Sequence, residues 1–84
     1  MTFTELNKKL GGSEIESDWH QHSNGGGWVR NTAEVAATAF VGPNAMVSDN
    51  VQVFGKAKVY GDVVVFGNAK VYGDAAVCDN ACIQ

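Results

Sequence analysis

The sequence is poor in the residues that mark several large classes of protein. It holds one proline and two cysteines in 84 residues, which is too few cysteines for the disulfide framework of a small secreted domain. No stretch approaches the roughly 18 to 20 consecutive apolar residues that a membrane-spanning helix needs. Residues 1–10 also lack the apolar stretch of a signal peptide. We therefore expect a cytoplasmic chain with no membrane partner.

Charge and length narrow the expectation further. The sequence has six basic and nine acidic residues, which gives a formal net charge of −3. This mild acidity lacks the basic footprint that nucleic-acid binding requires, so no direct nucleic-acid binding is expected. A chain of this length makes one small domain with a modest core, and association with another chain is an obvious source of further stability.

What the sequence does contain is a hexad period. An aliphatic residue occupies every sixth position from Val29 to Ile83, and from the second repeat onward the residue two positions before it is alanine, or valine at positions 51 and 63. The aliphatic positions are Val29, Val35, Val41, Val47, Val53, Val59, Val65, Val71, Val77 and Ile83. Residues two apart point to the same side of a strand, whereas a helix would turn residues six apart to different faces. Each hexad therefore predicts a short strand with an inward-facing pair, followed by a corner rich in Gly, Asn and Asp.

This aliphatic-x-x-x-small-x pattern resembles the hexapeptide repeat of left-handed parallel β-helix proteins, which are best known from trimeric acyltransferases. The resemblance covers residues 28–84. It implies an all-β solenoid of about three triangular coils, with three hexads in each coil. One departure is that the position after the aliphatic residue, often small or acidic in the family, is aromatic at four places. These residues are Phe54, Tyr60, Phe66 and Tyr72.

Residues 1–27 are expected to form an N-terminal helix and a linker or cap. Thr2 and Glu5 have the spacing of a capping box, and Phe3, Leu6 and Leu10 lie on one stripe of a short helix. Residues 24–27, Asn-Gly-Gly-Gly, are interpreted as a flexible joint that leads into the first coil.

A coil of three hexads places an apolar column on the outside of one face. Because the outer face of a sheet is normally polar, we expect a cover, which is either an oligomer or partner interface or the N-terminal segment folded back. A second face carries an aromatic pair. The hexads also reach Gln84 in register, so strand edges at the last coil are expected to invite pairing. The candidate interface residues are Trp28, Met46, Val64, Phe66 and Cys82 on the first face, and Phe54 and Tyr72 on the second.

The segment around Trp19 holds the residues with the greatest chemical potential. In an extended strand, Asp18, His20 and His22 would share one side, which is a spacing that suits a metal ion. The alternative is a surface strand whose histidines hydrogen-bond locally. The absence of a visible fourth ligand favours that alternative, so neither a metal nor another cofactor is assigned.

These observations favour a non-catalytic interaction protein, a rigid module that forms a dimer or trimer and binds a protein partner. A small phage or mobile-element inhibitor of a host complex is one specific form of this hypothesis. The alternative is an acyltransferase-like enzyme or a degenerate fragment of one. No histidine follows His22 and no loop interrupts the hexads, so no catalytic residue is assigned.

Overall fold

Short strands, one in each hexad, build most of the structure, a computed structural model that describes residues 2–78 and the backbone of Cys82–Ile83. The helix α1 spans Phe3–Lys9, and a 3₁₀ turn at Glu16–Asp18 leads into the first strand. The strands are β1 (Trp19–Gln21), β2 (Trp28–Arg30), β3 (Glu34–Val35), β4 (Phe40–Val41), β5 (Met46–Val47), β6 (Gln52–Val53), β7 (Lys58–Val59), β8 (Val64–Val65), β9 (Lys70–Val71), β10 (Ala76–Val77) and β11 (Cys82–Ile83).

The repeat strands form three parallel sheets, and each strand pairs with the strand that lies three hexads further along the chain. Sheet A has the order β1-β2-β5-β8-β11, sheet B the order β3-β6-β9, and sheet C the order β4-β7-β10. Val35 pairs with Val53, and Val53 pairs with Val71. The prediction of a small, strand-rich fold with one short helix is confirmed, and the paired strands of the repeat are parallel.

The core lies between the three sheets and consists of the valines and alanines of the repeat. Val29, Val41, Val47, Val53, Val59 and Val65 are completely buried, together with Ala39, Ala45 and Ala57. Backbone hydrogen bonds tie each turn of the chain to the next, as from the Glu34 N–H to the Val51 carbonyl at 2.9 Å. The alternation of inward and outward side chains that the hexads predict is therefore present from β2 to β9.

The corners between strands share one backbone conformation in the later part of the repeat. From Asp49 onward the described corners begin in the left-handed region, with φ of 68° at Gly55 and 75° at Gly67. Asp49 adopts this conformation without being glycine, at φ 57°. Its carboxylate accepts a hydrogen bond from the Gly67 N–H at 3.0 Å, which helps to hold a backbone conformation that costs other residues energy.

Residues 19–27 cover the N-terminal edges of two sheets. Strand β1 pairs antiparallel with β2, with His20 opposite Val29. At sheet C, the Val41 N–H donates to the Asn24 carbonyl at 3.0 Å, and the Gly27 N–H donates to the Val41 carbonyl at 2.9 Å. The interpretation of residues 24–27 as a flexible joint is therefore wrong, because they are hydrogen-bonded into the edge of the sheet.

Replacement of Gly25 by alanine tests this packed turn. A Cβ at Gly25 would lie 2.2 Å from the Val41 carbonyl oxygen, whereas a Cβ at Gly26 would meet nothing within 4 Å. Both glycines have positive φ, so Gly26→Ala is a matched control for the conformational cost of about 1 kcal/mol. We expect Gly25→Ala to lower the free energy of unfolding in urea by about 2 kcal/mol more than Gly26→Ala. Equal losses would contradict this account of the turn.

Candidate interaction surfaces

The apolar column of sheet A is covered by the N-terminal segment of the same chain. Leu6 and Met46 are fully buried, and Trp28 is 8% exposed. The Phe3 and Trp28 rings pack edge to face with centroids 5.9 Å apart. Phe3, Leu10 and Val64 pack against the buried cluster of Leu6, Trp19, Trp28 and Met46.

This cover corrects the expectation of a partner interface at Trp28 and Met46. The sequence allowed either a partner chain or the N-terminal segment to cover the apolar column. In the structure the N-terminal segment covers it, because the apolar stripe of α1 packs where a second chain would bind. Val64 and Phe66 are half-buried at the edge of this cover, and both line a recess beside Leu10 and Trp19. The side chain of Cys82 lies outside the described residues.

A polar network fastens the N-terminal segment to sheet A. The Glu14 carboxylate forms an ion pair with Arg30 and accepts a hydrogen bond from the Trp19 indole N–H at 3.1 Å. The Arg30 guanidinium lies 5.1 Å from the centre of the Trp19 ring, a cation–π contact. The Glu14 N–H donates to the Asn7 side-chain oxygen at 2.8 Å. The charge of Arg30 is thus matched within the chain.

No pattern in the sequence predicts this polar network. Glu14 and Arg30 are distant in the chain, and no spacing rule links positions that meet only through the reversal of β1 onto β2. The available signal was the pair of opposite charges on either side of a tryptophan in an otherwise polar segment.

The two histidines make separate hydrogen bonds to different parts of the chain. The His20 Nδ1 lies 2.8 Å from the Asn31 side-chain oxygen, and the His22 Nε2 lies 2.8 Å from the Ala39 carbonyl. Because a carbonyl oxygen accepts but cannot donate, the Nε2 of His22 carries the proton. His22 is buried and His20 is exposed, since the turn after Gln21 carries His22 into the cap.

The structure therefore does not gather Asp18, His20 and His22 into one site. Within residues 2–78, no group of three or more His, Cys, Asp or Glu side chains could hold a metal ion. His20 is exposed on strand β1, as the alternative of a surface strand expects, whereas His22 follows that strand and is buried. Over the same residues, no helix is long and apolar enough to cross a membrane.

On the outer surface of sheet B, no segment within residues 2–78 buries the large side chains. Phe54 is 38% exposed and Tyr72 is 66% exposed. They are one coil apart in the same column, which begins with the half-buried Ala36. The neighbouring outward column consists of Glu34, Gln52 and Lys70, which are paired in register. Sheet B thus presents two ordered columns, one aromatic and one polar.

Sheet C presents a further aromatic side chain around the corner from sheet B. Tyr60 is 39% exposed and lies over Gly42, where an added Cβ would come within 3.2 Å of the Tyr60 Cα and Cβ atoms. Glycine at this position lets the backbones of successive coils carry a large ring beside a small residue. Lys58 lies in the adjacent outward column of the sheet.

Comparison of the chain with protein-family models, curated proteins and solved structures finds no match. The function is accordingly argued from the surfaces themselves. Exposed aromatic rings held on a hydrogen-bonded framework supply contact area at little entropic cost, because the rings have few torsions to fix.

Substitution of Leu6 tests the intramolecular cover. Removing this fully buried side chain leaves a cavity, so Leu6→Ala should lower the free energy of unfolding by about 2 to 5 kcal/mol. Ile15→Ala is the control because Ile15 is 61% exposed, and its effect should stay within about 0.5 kcal/mol. Urea denaturation followed by tryptophan fluorescence measures both. Equal stability of the two variants would show that α1 does not cover sheet A.

Acidification should loosen α1 through its capping box. The Thr2 N–H donates to the Glu5 carboxylate at 2.9 Å, and this hydrogen bond lowers the pKa of Glu5 below its usual range. A group with a lowered pKa stabilises the fold above its unfolded pKa and loses that contribution as pH falls through the folded value. Tryptophan fluorescence should therefore report loosening below the usual glutamate range, to a smaller extent in Glu5→Gln. Identical pH profiles would contradict a role for the Glu5 charge.

Proposed function

We propose that this chain is a non-catalytic interaction module of the hexapeptide-repeat type, a left-handed parallel β-helix that self-associates through sheet B. The hexad period and the strand pairing at an offset of three hexads support the repeat architecture. The observation that carries the function is the exposure of Phe54 and Tyr72 on a sheet whose backbone is already fixed by its ladder.

The choice of sheet B follows from the state of the other surfaces. The apolar column of sheet A is already buried by α1, so a partner there would have to displace a packed segment with its Glu14–Arg30 ion pair. Phe54 and Tyr72 require no such displacement. Large exposed aromatic residues are the kind that carry most of the binding energy in protein interfaces.

Binding rather than catalysis also suits the chemistry that the structure places together. His20 and His22 are committed to separate hydrogen bonds with Asn31 and Ala39, and the surface of sheet B combines aromatic rings with single charges. The partner that suits such a surface is another protein face with an aromatic or small apolar centre and a charged rim, and a second copy of this chain has one.

Sedimentation velocity over a range of concentrations tests the proposal. We expect the wild-type chain to form a dimer or trimer, and the double variant Phe54→Ser with Tyr72→Ser to stay monomeric at the same concentrations. Ile15→Ser is the matched control, since it removes a similarly exposed apolar side chain from the N-terminal segment and should leave association unchanged.

Two results would contradict the proposal. One is a wild-type chain that remains monomeric at the highest concentration, and the other is a double variant that associates as the wild type does. Acetyl transfer from acetyl-coenzyme A that is lost in His20→Ala or His22→Ala would instead support the enzymatic alternative.

A further inference from the structure

Each outward column of sheet B is complementary to a second copy of the same column that runs in the opposite direction. The polar column begins with Glu34 on β3, passes through Gln52 on β6 and ends with Lys70 on β9. The aromatic column begins with the small Ala36 and ends with the large Tyr72, with Phe54 between them. Both columns are thus ordered along the stack of strands, one by charge and one by size.

Two copies of the chain can make these complementary contacts if a twofold axis lies in the interface and runs along β6. A half-turn about such an axis sets each column against its own copy in reverse order. Glu34 then faces the second copy's Lys70, and Ala36 faces its Tyr72, while Gln52 and Phe54 each meet their own counterparts near the axis. Because the operation is twofold, every contact away from the axis occurs twice.

The charges at the two ends are available for such contacts. Glu34 and Lys70 are both exposed, and the ion pairs found among the described residues, Lys9–Asp62 and Arg30–Glu14, involve neither of them. Strands in a sheet are about 4.8 Å apart, so two strand spacings separate Glu34 from Lys70 within one chain. Neither charge is used in an ion pair among residues 2–78, so a second chain can supply an oppositely charged partner.

The shape of the surface fits the same arrangement. A recess of about 500 Å³ surrounds β3, and its lining includes His20, Glu34, Ala36 and Phe54. Tyr72 is the most exposed of the large apolar side chains on the described surface. The recess is open to solvent, and its volume is larger than the roughly 150 Å³ of a cavity that holds benzene, so a phenol ring can lie in it. The protruding end of one column thus faces the hollow end of the other.

We infer that two copies of this chain pair face to face through sheet B with their stacks of strands antiparallel, so that Tyr72 of each copy enters the β3 recess of the other and Glu34 pairs with Lys70 across the interface. This inference rests on the proposed self-association and specifies its geometry. The face is three short strands wide, well below the roughly 800 Å² per partner of a standard interface. A weak dimer with a micromolar or higher Kd is expected.

Charge reversal at the two ends of the polar column tests the antiparallel register. Glu34→Lys and Lys70→Glu each turn both symmetric attractions into repulsions, so each variant alone should dimerise about tenfold or more weakly at low salt. An equimolar mixture of the two variants restores two opposite-charge contacts and should associate about as well as wild type. The double variant Glu34→Lys with Lys70→Glu should do so as well. Lys58→Glu on sheet C makes the same charge change and should leave dimerisation unchanged.

Sedimentation equilibrium of the four variants and the mixture distinguishes failure of the geometry from failure of the function. If the wild-type chain dimerises and each single reversal dimerises as strongly as the wild type, the antiparallel register is wrong. The proposed self-association would still hold. A parallel arrangement gives that result, because Glu34 would then face Glu34. A wild-type chain that is monomeric throughout would overturn both. Circular dichroism of each variant verifies that these exposed substitutions retain the fold.

Discussion

The ladder of backbone hydrogen bonds at a fixed offset of three hexads is the constraint on which the rest of the structure depends. Once Val35 lies beside Val53 and Val53 beside Val71, every outward side chain also lies beside its counterpart one coil later. The very short strand in each hexad is sufficient because a strand inside the stack is held on both sides. The outward side chains of the repeat are therefore arranged in columns, and the residues of one column are three hexads apart in the sequence.

This constraint explains why much of the fold was readable from the sequence. The valines and small residues of the hexads fixed the inward positions, and the Thr2–Glu5 spacing marked the start of α1. The aromatic pair Phe54 and Tyr72 was placed on one exposed column by counting alone. The cover over Trp28 and Met46 was foreseen as one of two possibilities, but the repeat does not extend into residues 2–27 and so could not decide between them.

What escaped the sequence depends on contacts between residues that no period relates. The reversal of β1 onto β2 brings Glu14 to Arg30, and that reversal has no signal in hexad spacing. Glycines at residues 25–27 suggested freedom, whereas Gly25 and Gly27 are needed because Val41 approaches too closely for a side chain. Glycine in a chain marks either flexibility or crowding, and tertiary packing decides which.

The cap formed by residues 19–27 also governs how these molecules can be added to one another along the stack. Parallel stacks with open edges can lengthen by the same hydrogen bonds that hold them together, as amyloid does. Here β1 runs against the direction of the ladder at sheet A, and the turn around Gly25 occupies the edge of sheet C. A second molecule therefore cannot extend the parallel ladders of sheets A and C from this end unless it displaces the cap, which disfavours end-to-end growth at these two sheets.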